Sequence, residues 1–173
     1  MVRRSLGAAL AALLLILAMG GNALALSEHR TVQMLDACDG PTFNATIGDG
    51  ACARHGGVTF DAFIGQLTTM GRAPAWRFSP AQLSLAAGGE IDAYNRGGEF
   101  HTFTEVAHYG GGCVPELNAA LGLTPVPECA NPSLFGTTGA APGDEVETGP
   151  IAAGTHRFQC LIHPWMRTTV HAR

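Results

Sequence analysis

Apolar positions in the first half of the chain predict one amphipathic helix. Four of them recur at i, i+3, i+4 and i+7, the spacing of one helical face: Phe60, Phe63, Ile64 and Leu67. Thr59 can cap the start of this helix, Asp61 sits favourably in its first turn, and Gly71 can end it. We expect it to pack on a core and assign it no chemistry.

After Pro74 the pattern changes to short strands separated by turns. Seven segments fit this description: Trp76–Phe78, Gln82–Leu85, Glu90–Asn95, His101–Ala107, Asp144–Thr148, Gly154–Cys160 and Thr168–Ala172. Short strands at regular spacing are typical of a β-sandwich or barrel. We therefore predict an all-β domain over residues 74–173.

Two stretches show neither the helical nor the strand pattern of apolar residues. Glu28–Gly57 is rich in turn signals and is predicted to be loop-like, so residues 26–73 form an N-terminal extension with one helix. Gly110–Gly143 is a glycine- and proline-rich insertion within the β domain. A loop of this length in a compact domain is usually functional or separately cross-linked.

The first 25 residues resemble a secretory signal peptide. Met1–Arg4 is positively charged, Leu6–Met19 is apolar, and Ala23-Leu24-Ala25 has the form of a cleavage site. The apolar run is shorter than the roughly 20 residues of a membrane span, so we predict cleavage and export to a periplasmic or extracellular location. Retention as an anchor is the alternative, and only then do we expect membrane association.

Charge excludes one class of partner. All ten basic residues are arginines, and only Arg3 and Arg4 are adjacent, so no basic face is available to follow a nucleic-acid backbone. The net charge is −4, and removal of residues 1–25 takes two arginines but no acidic residue. We expect an acidic mature protein that does not bind nucleic acid.

The chain has five cysteines, which leaves at least one without an internal partner: Cys38, Cys52, Cys113, Cys129 and Cys160. The local pairing is Cys38–Cys52 and Cys113–Cys129, although the sequence allows others. Such loops of roughly 15 residues stabilise by about 3 kcal/mol each in the chain-entropy model. In this pairing Cys160 is the free thiol, and metal binding would explain why it escapes oxidation.

A cluster of soft donors surrounds that cysteine. Cys160, His163 and Met166 follow one another at intervals of three residues on a tight loop between two predicted strands. Sulfur donors combined with imidazole favour copper, and a His₂Cys set with a weak axial Met is typical of blue-copper sites. A second histidine is required, and His101 lies at the start of a predicted strand after the Gly97-Gly98 turn.

At these residues the sequence resembles the cupredoxin family. The Cys-x-x-His-Pro-x-Met spacing of Cys160–Met166 is similar to the short copper loop of amicyanin. Residues 78–102 look like the strands that lead to the first histidine ligand in that family, and Gly154–Cys160 looks like its penultimate strand. The similarity covers about residues 74–109 and 144–173.

The resemblance implies a fold and a function. The fold would be a Greek-key β-sandwich holding one type 1 copper ion, with three strong equatorial ligands and a long axial one: His101, Cys160, His163 and Met166. The protein would be an electron carrier rather than an enzyme, passing single electrons between redox partner proteins, and we expect a monomer. Pro164 and Trp165 would form the apolar surface patch beside the last histidine, through which the electron leaves.

Two features depart from the family pattern. Many members carry Asn directly after the first histidine, where it ties the ligand loops together; here Thr102 takes that place, with Asn95 as a further supporting residue. The other is the long spacing from His101 to Cys160, which includes the insertion at about residues 110–143.

Alternative interpretations remain open at this point. The same ligands could serve copper storage or delivery to another exported protein. Glu99 and Glu105 could supply extra ligands in a mononuclear copper enzyme. His108 competes with His101 as the upstream ligand, and a metal-free adhesion or structural module is the weakest alternative.

Overall fold

The strands predicted after residue 74 are present, and the sheet also includes a strand that precedes them. A computed structural model describes residues 28–173. The predicted signal segment, residues 1–25, therefore lies outside the described residues. Within residues 28–173 no helix has the length and apolar character needed to cross a bilayer.

The described residues form ten strands: β1 (His29–Leu35), β2 (Arg77–Ser79), β3 (Gln82–Leu85), β4 (Glu90–Asn95), β5 (His101–Thr102), β6 (Thr104–Glu105), β7 (Gly139–Ala140), β8 (Glu145–Glu147), β9 (Gly154–Gln159) and β10 (Arg167–Ala172). The helices are α1 (Gly40–Ile47), α2 (Phe60–Met70), α3 (Pro115–Leu121) and α4 (Leu134–Thr137), with a 3₁₀ turn at Pro127–Ala130. The domain predicted to be all-β over residues 74–173 thus also contains helices α3 and α4, both within the insertion, whereas helix α2 lies in the extension where one helix was predicted.

Two mixed four-stranded sheets form a β-sandwich-like fold. One has the order β2-β1-β4-β8 and the other β3-β10-β9-β6, while β5 and β7 make a separate pair. Val32 and Ile91 of the first sheet and Phe158 and Val170 of the second are buried in one apolar core. The Greek-key connectivity stays a prediction.

Strand β1 corrects the loop-like prediction for Glu28–Gly57. It pairs in parallel with β4 over six residues, from His29↔Glu90 to Met34↔Asn95, and antiparallel with β2. The first sheet therefore includes residues before 74, which are more than a helical extension. The strand was missed because only Val32 and Met34 are buried along it, too few for a clear alternation.

The residues Asp39-Gly40-Pro41, whose sequence suggests a turn, begin a helix instead. Asp39 caps helix α1, its carboxylate accepts a hydrogen bond from the Thr42 backbone N–H at 3.2 Å, and Pro41 lies in the first turn. Aspartate at the cap followed by proline inside the first turn is a helix start. The N-terminal region thus holds two helices, where the sequence analysis predicted one.

Helix α2 matches its prediction. Thr59 Oγ1 accepts a hydrogen bond from the Ala62 N–H, and Gly71 ends the helix in the left-handed conformation at φ 65°. Phe63 and Leu67 are buried, whereas Ile64 stays 38% exposed.

Both local disulfides are formed, as predicted: Cys38–Cys52 and Cys113–Cys129. Cys160 is free and buried. The insertion is more ordered than predicted, because it contains α3, the 3₁₀ turn, α4 and β7. Strand β7 returns to pair with β5 at His101↔Ala140, which joins the end of the insertion to the predicted ligand strand.

Replacing Phe103→Ala tests where the sandwich core lies. Phe103 is 1% exposed and stacks on Phe158 with ring centroids 4.4 Å apart. We expect the free energy of unfolding to fall by about 3–5 kcal/mol, measured by urea denaturation. Ile47→Ala, at a side chain 59% exposed, should change it by less than about 1 kcal/mol, and equal effects would contradict the assignment.

Candidate metal centre

Three predicted ligands come together in the interior. His101 lies at the start of β5, and Cys160 and His163 lie on the loop between β9 and β10. All three side chains are buried, and their donor atoms lie within 4.8 Å of one another. The Nδ1 atom of each histidine is 4.0 Å from the Cys160 sulfur. The fold thus brings a thiol and two imidazoles to one point.

The loop from Cys160 to Met166 is closed by its own backbone. The Cys160 N–H donates to the Met166 carbonyl at 3.1 Å, and the Met166 N–H donates to the His163 carbonyl at 2.9 Å. The Cys160 sulfur accepts from the His163 backbone N–H at 3.5 Å. Met166 is fully buried. The loop therefore closes on itself with only two residues between Cys160 and His163 and two between His163 and Met166.

Thr102 connects this loop to the strand carrying His101. Its hydroxyl accepts a hydrogen bond from the Leu161 N–H at 2.8 Å, and its own N–H donates to the Cys160 sulfur at 3.5 Å. The threonine thus contacts both the Cys160 side chain and the backbone of the residue that follows it.

Asp36 is a buried residue of the centre that the sequence analysis missed. It follows strand β1, and its Oδ2 lies 2.8 Å from His101 Nε2. The carboxylate also accepts hydrogen bonds from three backbone N–H groups at 2.8–3.2 Å: those of Cys38, Gly98 and Glu99. A carboxylate on the outer nitrogen of a histidine fixes the ring orientation and leaves Nδ1 available for a metal.

These contacts change the acidity of both partners. Burial raises the pKa of the Asp36 carboxyl, but the hydrogen bonds from His101 and the backbone outweigh it and hold that pKa at about 2. Burial lowers the pKa of His101, whereas Asp36 and Cys160 raise it to about 9. Both shifts favour the charged form of each partner in the protein without metal.

The free cysteine is poised as a thiolate. Burial raises the pKa of the Cys160 thiol, yet its interactions with the His101 and His163 imidazoles bring that pKa well below the ordinary value. The thiolate is the form of cysteine that binds metals. A buried thiolate next to two imidazoles fits copper well, because these are soft and intermediate ligands, and the Met166 thioether is buried on the same loop.

Glu99 takes the corresponding place beside the other histidine. Its Oε2 is 3.7 Å from His163 Nε2 and accepts a hydrogen bond from the Trp76 indole N–H. Burial raises the pKa of Glu99, and the nearby His163 and Trp76 only partly oppose this. Glu99 thus faces the outer nitrogen of His163, away from the Nδ1 that points to Cys160.

An aromatic layer covers His163. Phe63, Trp76 and Trp165 lie with ring centroids 5.4–6.4 Å from its imidazole. His163 is only 3% exposed, Pro164 is buried and Trp165 is half-buried. The electron-transfer patch of Pro164 and Trp165 stays a prediction, and within it only Trp165 is partly exposed, with the Phe63 ring packed against it.

The other residues named in the sequence analysis lie outside the ligand cluster or make hydrogen bonds only to the backbone. Asn95 donates to the Glu99 and Ala140 carbonyls and accepts from the Gly97 N–H, which shapes the turn before His101. Glu105 pairs with His156 at 2.6 Å. His108 is exposed and outside the cluster.

Replacing Asp36→Asn tests the buried ion pair. The amide nitrogen would face N–H donors, so we expect the metal-free protein to lose about 2 kcal/mol of unfolding free energy at pH 7. Because the pKa of Asp36 is lowered, its stabilisation exists above the unfolded pKa of 3.8 and is lost as pH falls towards 2. Urea denaturation should show a smaller difference at pH 2.5, whereas the exposed Asp49→Asn should change little at either pH. An equal loss at both pH values would contradict the pairing.

Replacing Gly97→Ala tests the close approach of the turn to Asp36. A Cβ at Gly97 would overlap the Asp36 carboxylate, so we expect a loss of about 1–3 kcal/mol. Gly65 lies in helix α2 with open space around its Cβ position, so Gly65→Ala should stabilise by about 0.5–1 kcal/mol. Thermal denaturation measures both changes in stability. A Gly97→Ala protein as stable as the unsubstituted one would refute the steric argument.

The chain was compared with known proteins. No protein-family model matches it, and no curated protein matches it either. Among solved structures it is similar to a purple cupredoxin from Nitrosopumilus maritimus, with 13% identity, 83% of this chain and 98% of that chain covered, and a TM-score of 0.45. It is also similar to a reduced amicyanin variant, with 20% identity, 56% and 73% covered, and a TM-score of 0.37. Oxidised plastocyanin from Dryopteris crassirhizoma matches with 13% identity, 83% and 100% covered, and a TM-score of 0.39.

Proposed function

We propose that this protein binds one copper ion and carries single electrons between redox partners. The observation that carries the proposal is the buried cluster of His101, Cys160 and His163, whose donor atoms lie within 4.8 Å of one another. Met166, buried on the same loop, would supply a thioether as a further ligand. Histidine, cysteine and methionine in this combination are the donors of a blue-copper site.

Bound copper would supply the one-electron chemistry by alternating between its Cu(I) and Cu(II) states. The chain's contribution is to keep the ligands in one arrangement. Thr102 joins the two ligand segments through Leu161 N–H, and Asp36 fixes the His101 ring. Ligands that do not move make little reorganisation necessary when the charge changes, which suits electron transfer.

Burial favours this role over copper storage or delivery. His101 and Cys160 are 0% exposed and His163 only 3%, so the ligands have little direct contact with solvent. A carrier that delivers copper needs ligands that a recipient can reach. We therefore place electron transfer first and copper delivery second.

Location and partners belong to the same proposal. Two disulfides and the predicted signal segment suit export to the periplasm or the extracellular space. The partner would be a redox protein, with the acidic chain acting as a monomer. Membrane attachment arises only if the N-terminal segment is retained.

Spectroscopy of the purified protein with one equivalent of Cu(II) tests the function. We expect an intense thiolate-to-copper absorption band and a narrow copper hyperfine pattern in electron paramagnetic resonance, bleached reversibly by a mild reductant. A pale spectrum would contradict the electron carrier. Rapid loss of copper to a weak chelator would favour delivery instead.

Replacing Cys160→Ser tests the ligand assignment. The serine hydroxyl cannot replace the thiolate, so the intense band should disappear completely. His108→Ala, at an exposed histidine outside the cluster, should keep the full band. A coloured Cys160→Ser protein would refute the assignment.

A further inference from the structure

A deep apolar groove lies over the metal centre. Its volume is about 660 Å³, and it is bordered by side chains from α1, α2 and α3 together with Phe100 and Ile162. Specific sites for small molecules commonly have volumes of about 300–1,000 Å³. The groove therefore has the size of a ligand site.

The rim of this groove is apolar, and among residues 28–173 nothing covers it fully. Ile47, Ile64 and Phe100 line it and are 59%, 38% and 39% exposed. Three large apolar side chains around one opening are costly to leave in water. Removing them from water would drive an apolar molecule into the groove.

The floor carries two polar side chains that reach the metal centre. Glu99 and His163 both line the groove, with side chains 9% and 4% exposed. Glu99 Oε2 is occupied by the Trp76 indole N–H. The other oxygen, Oε1, makes no hydrogen bond to any residue in the part of the chain that the structure describes. An almost buried carboxyl oxygen without a partner at the base of an apolar groove provides a place for a ligand's polar group.

We propose that the groove binds a small planar aromatic molecule bearing a hydroxyl group, with its ring between the apolar walls and the hydroxyl at Glu99. The aromatic walls include Phe43, Phe60 and Phe63, which suit a flat ring. A hydroxyl both donates and accepts, so it can pair with Oε1. A flat protein surface would stop at the rim, whereas a ring-sized molecule reaches His163.

This binding site goes beyond the proposed electron transfer and does not depend on it. The groove is built by the chain's own residues, so binding is measurable on the metal-free protein. A failure here leaves the copper spectrum untouched, and a failure of the copper site leaves the groove intact.

The test uses 2-naphthol and its near-isostere 2-methylnaphthalene, which lacks the hydroxyl. Binding to the purified metal-free protein is followed by NMR chemical shifts or calorimetry. We expect saturable binding of 2-naphthol, about tenfold or more tighter than that of 2-methylnaphthalene, because only the hydroxyl pairs with Glu99. Equal affinity, or no saturable binding, would overturn the proposal.

Two tryptophan variants on the same helix locate the site. Ile64→Trp fills the groove and should weaken 2-naphthol at least tenfold. Met70→Trp is the matched control, because Met70 is 51% exposed on α2 but does not line the groove. The affinity of this variant for 2-naphthol should stay within about twofold of that of the unsubstituted protein. Equal effects of the two substitutions would contradict the location.

Glu99→Met assigns the hydroxyl contact, since methionine has a similar shape but no carboxyl group. We expect the preference for 2-naphthol over 2-methylnaphthalene to disappear. If Glu99→Met does not fold, the probe pair and the tryptophan variants still decide. Sedimentation provides the last outcome: a concentration-dependent dimer abolished by Ile64→Trp would make a second copy the occupant and overturn the proposal.

Discussion

The buried carboxylate of Asp36 is the constraint on which the centre depends. It accepts hydrogen bonds from three backbone N–H groups and faces the outer nitrogen of His101. Those donors belong to the start of the Cys38–Cys52 loop and to the turn before β5, so one side chain joins two otherwise separate segments. A carboxylate is suited to this, because it is an acceptor at every lone pair. The close turn at Gly97 and the parallel pairing of β1 with β4 both bring backbone to that carboxylate.

Close packing also determines how far the candidate metal centre is shielded from solvent. Helix α2 and Trp76 cover His163, so the last predicted ligand lies beneath an aromatic layer instead of at the surface. This keeps the His163 side chain almost entirely out of solvent. The apolar groove beside Glu99 opens next to the same aromatic layer. The α2 residue Phe63 contributes to both, as a cover of the histidine and as a wall of the groove.

Local signals in the sequence predicted much of this architecture, and non-local ones predicted little. Helix α2 was predictable because its cap, its apolar face and its final glycine all lie within thirteen residues. The local disulfides and the convergence of His101 with the Cys160 loop also agreed with the structure. Strand β1 was not predictable from its own residues, because it is defined by pairing with β4 some sixty residues later. Asp36 was missed for the same reason: nothing near it in the sequence shows that His101 will be its neighbour.

The directions of strands β1 and β10 determine where the protein can be attached to a surface or fused to another protein. Strand β1 runs from Glu28, which accepts a hydrogen bond from the Ala86 N–H, towards Asp36 at the candidate metal centre. Strand β10 runs away from the centre, from Met166 to Arg173, whose carbonyl accepts from the Ala87 N–H. Both strands therefore connect the centre with the same turn at Ala86–Ala87. A six-residue strand spans about 20 Å. An electrode, bead or fusion partner attached at that turn would hold the protein with its ligand cluster facing outward. The turn at Ala86–Ala87 and the ligand cluster thus lie at opposite ends of these two strands.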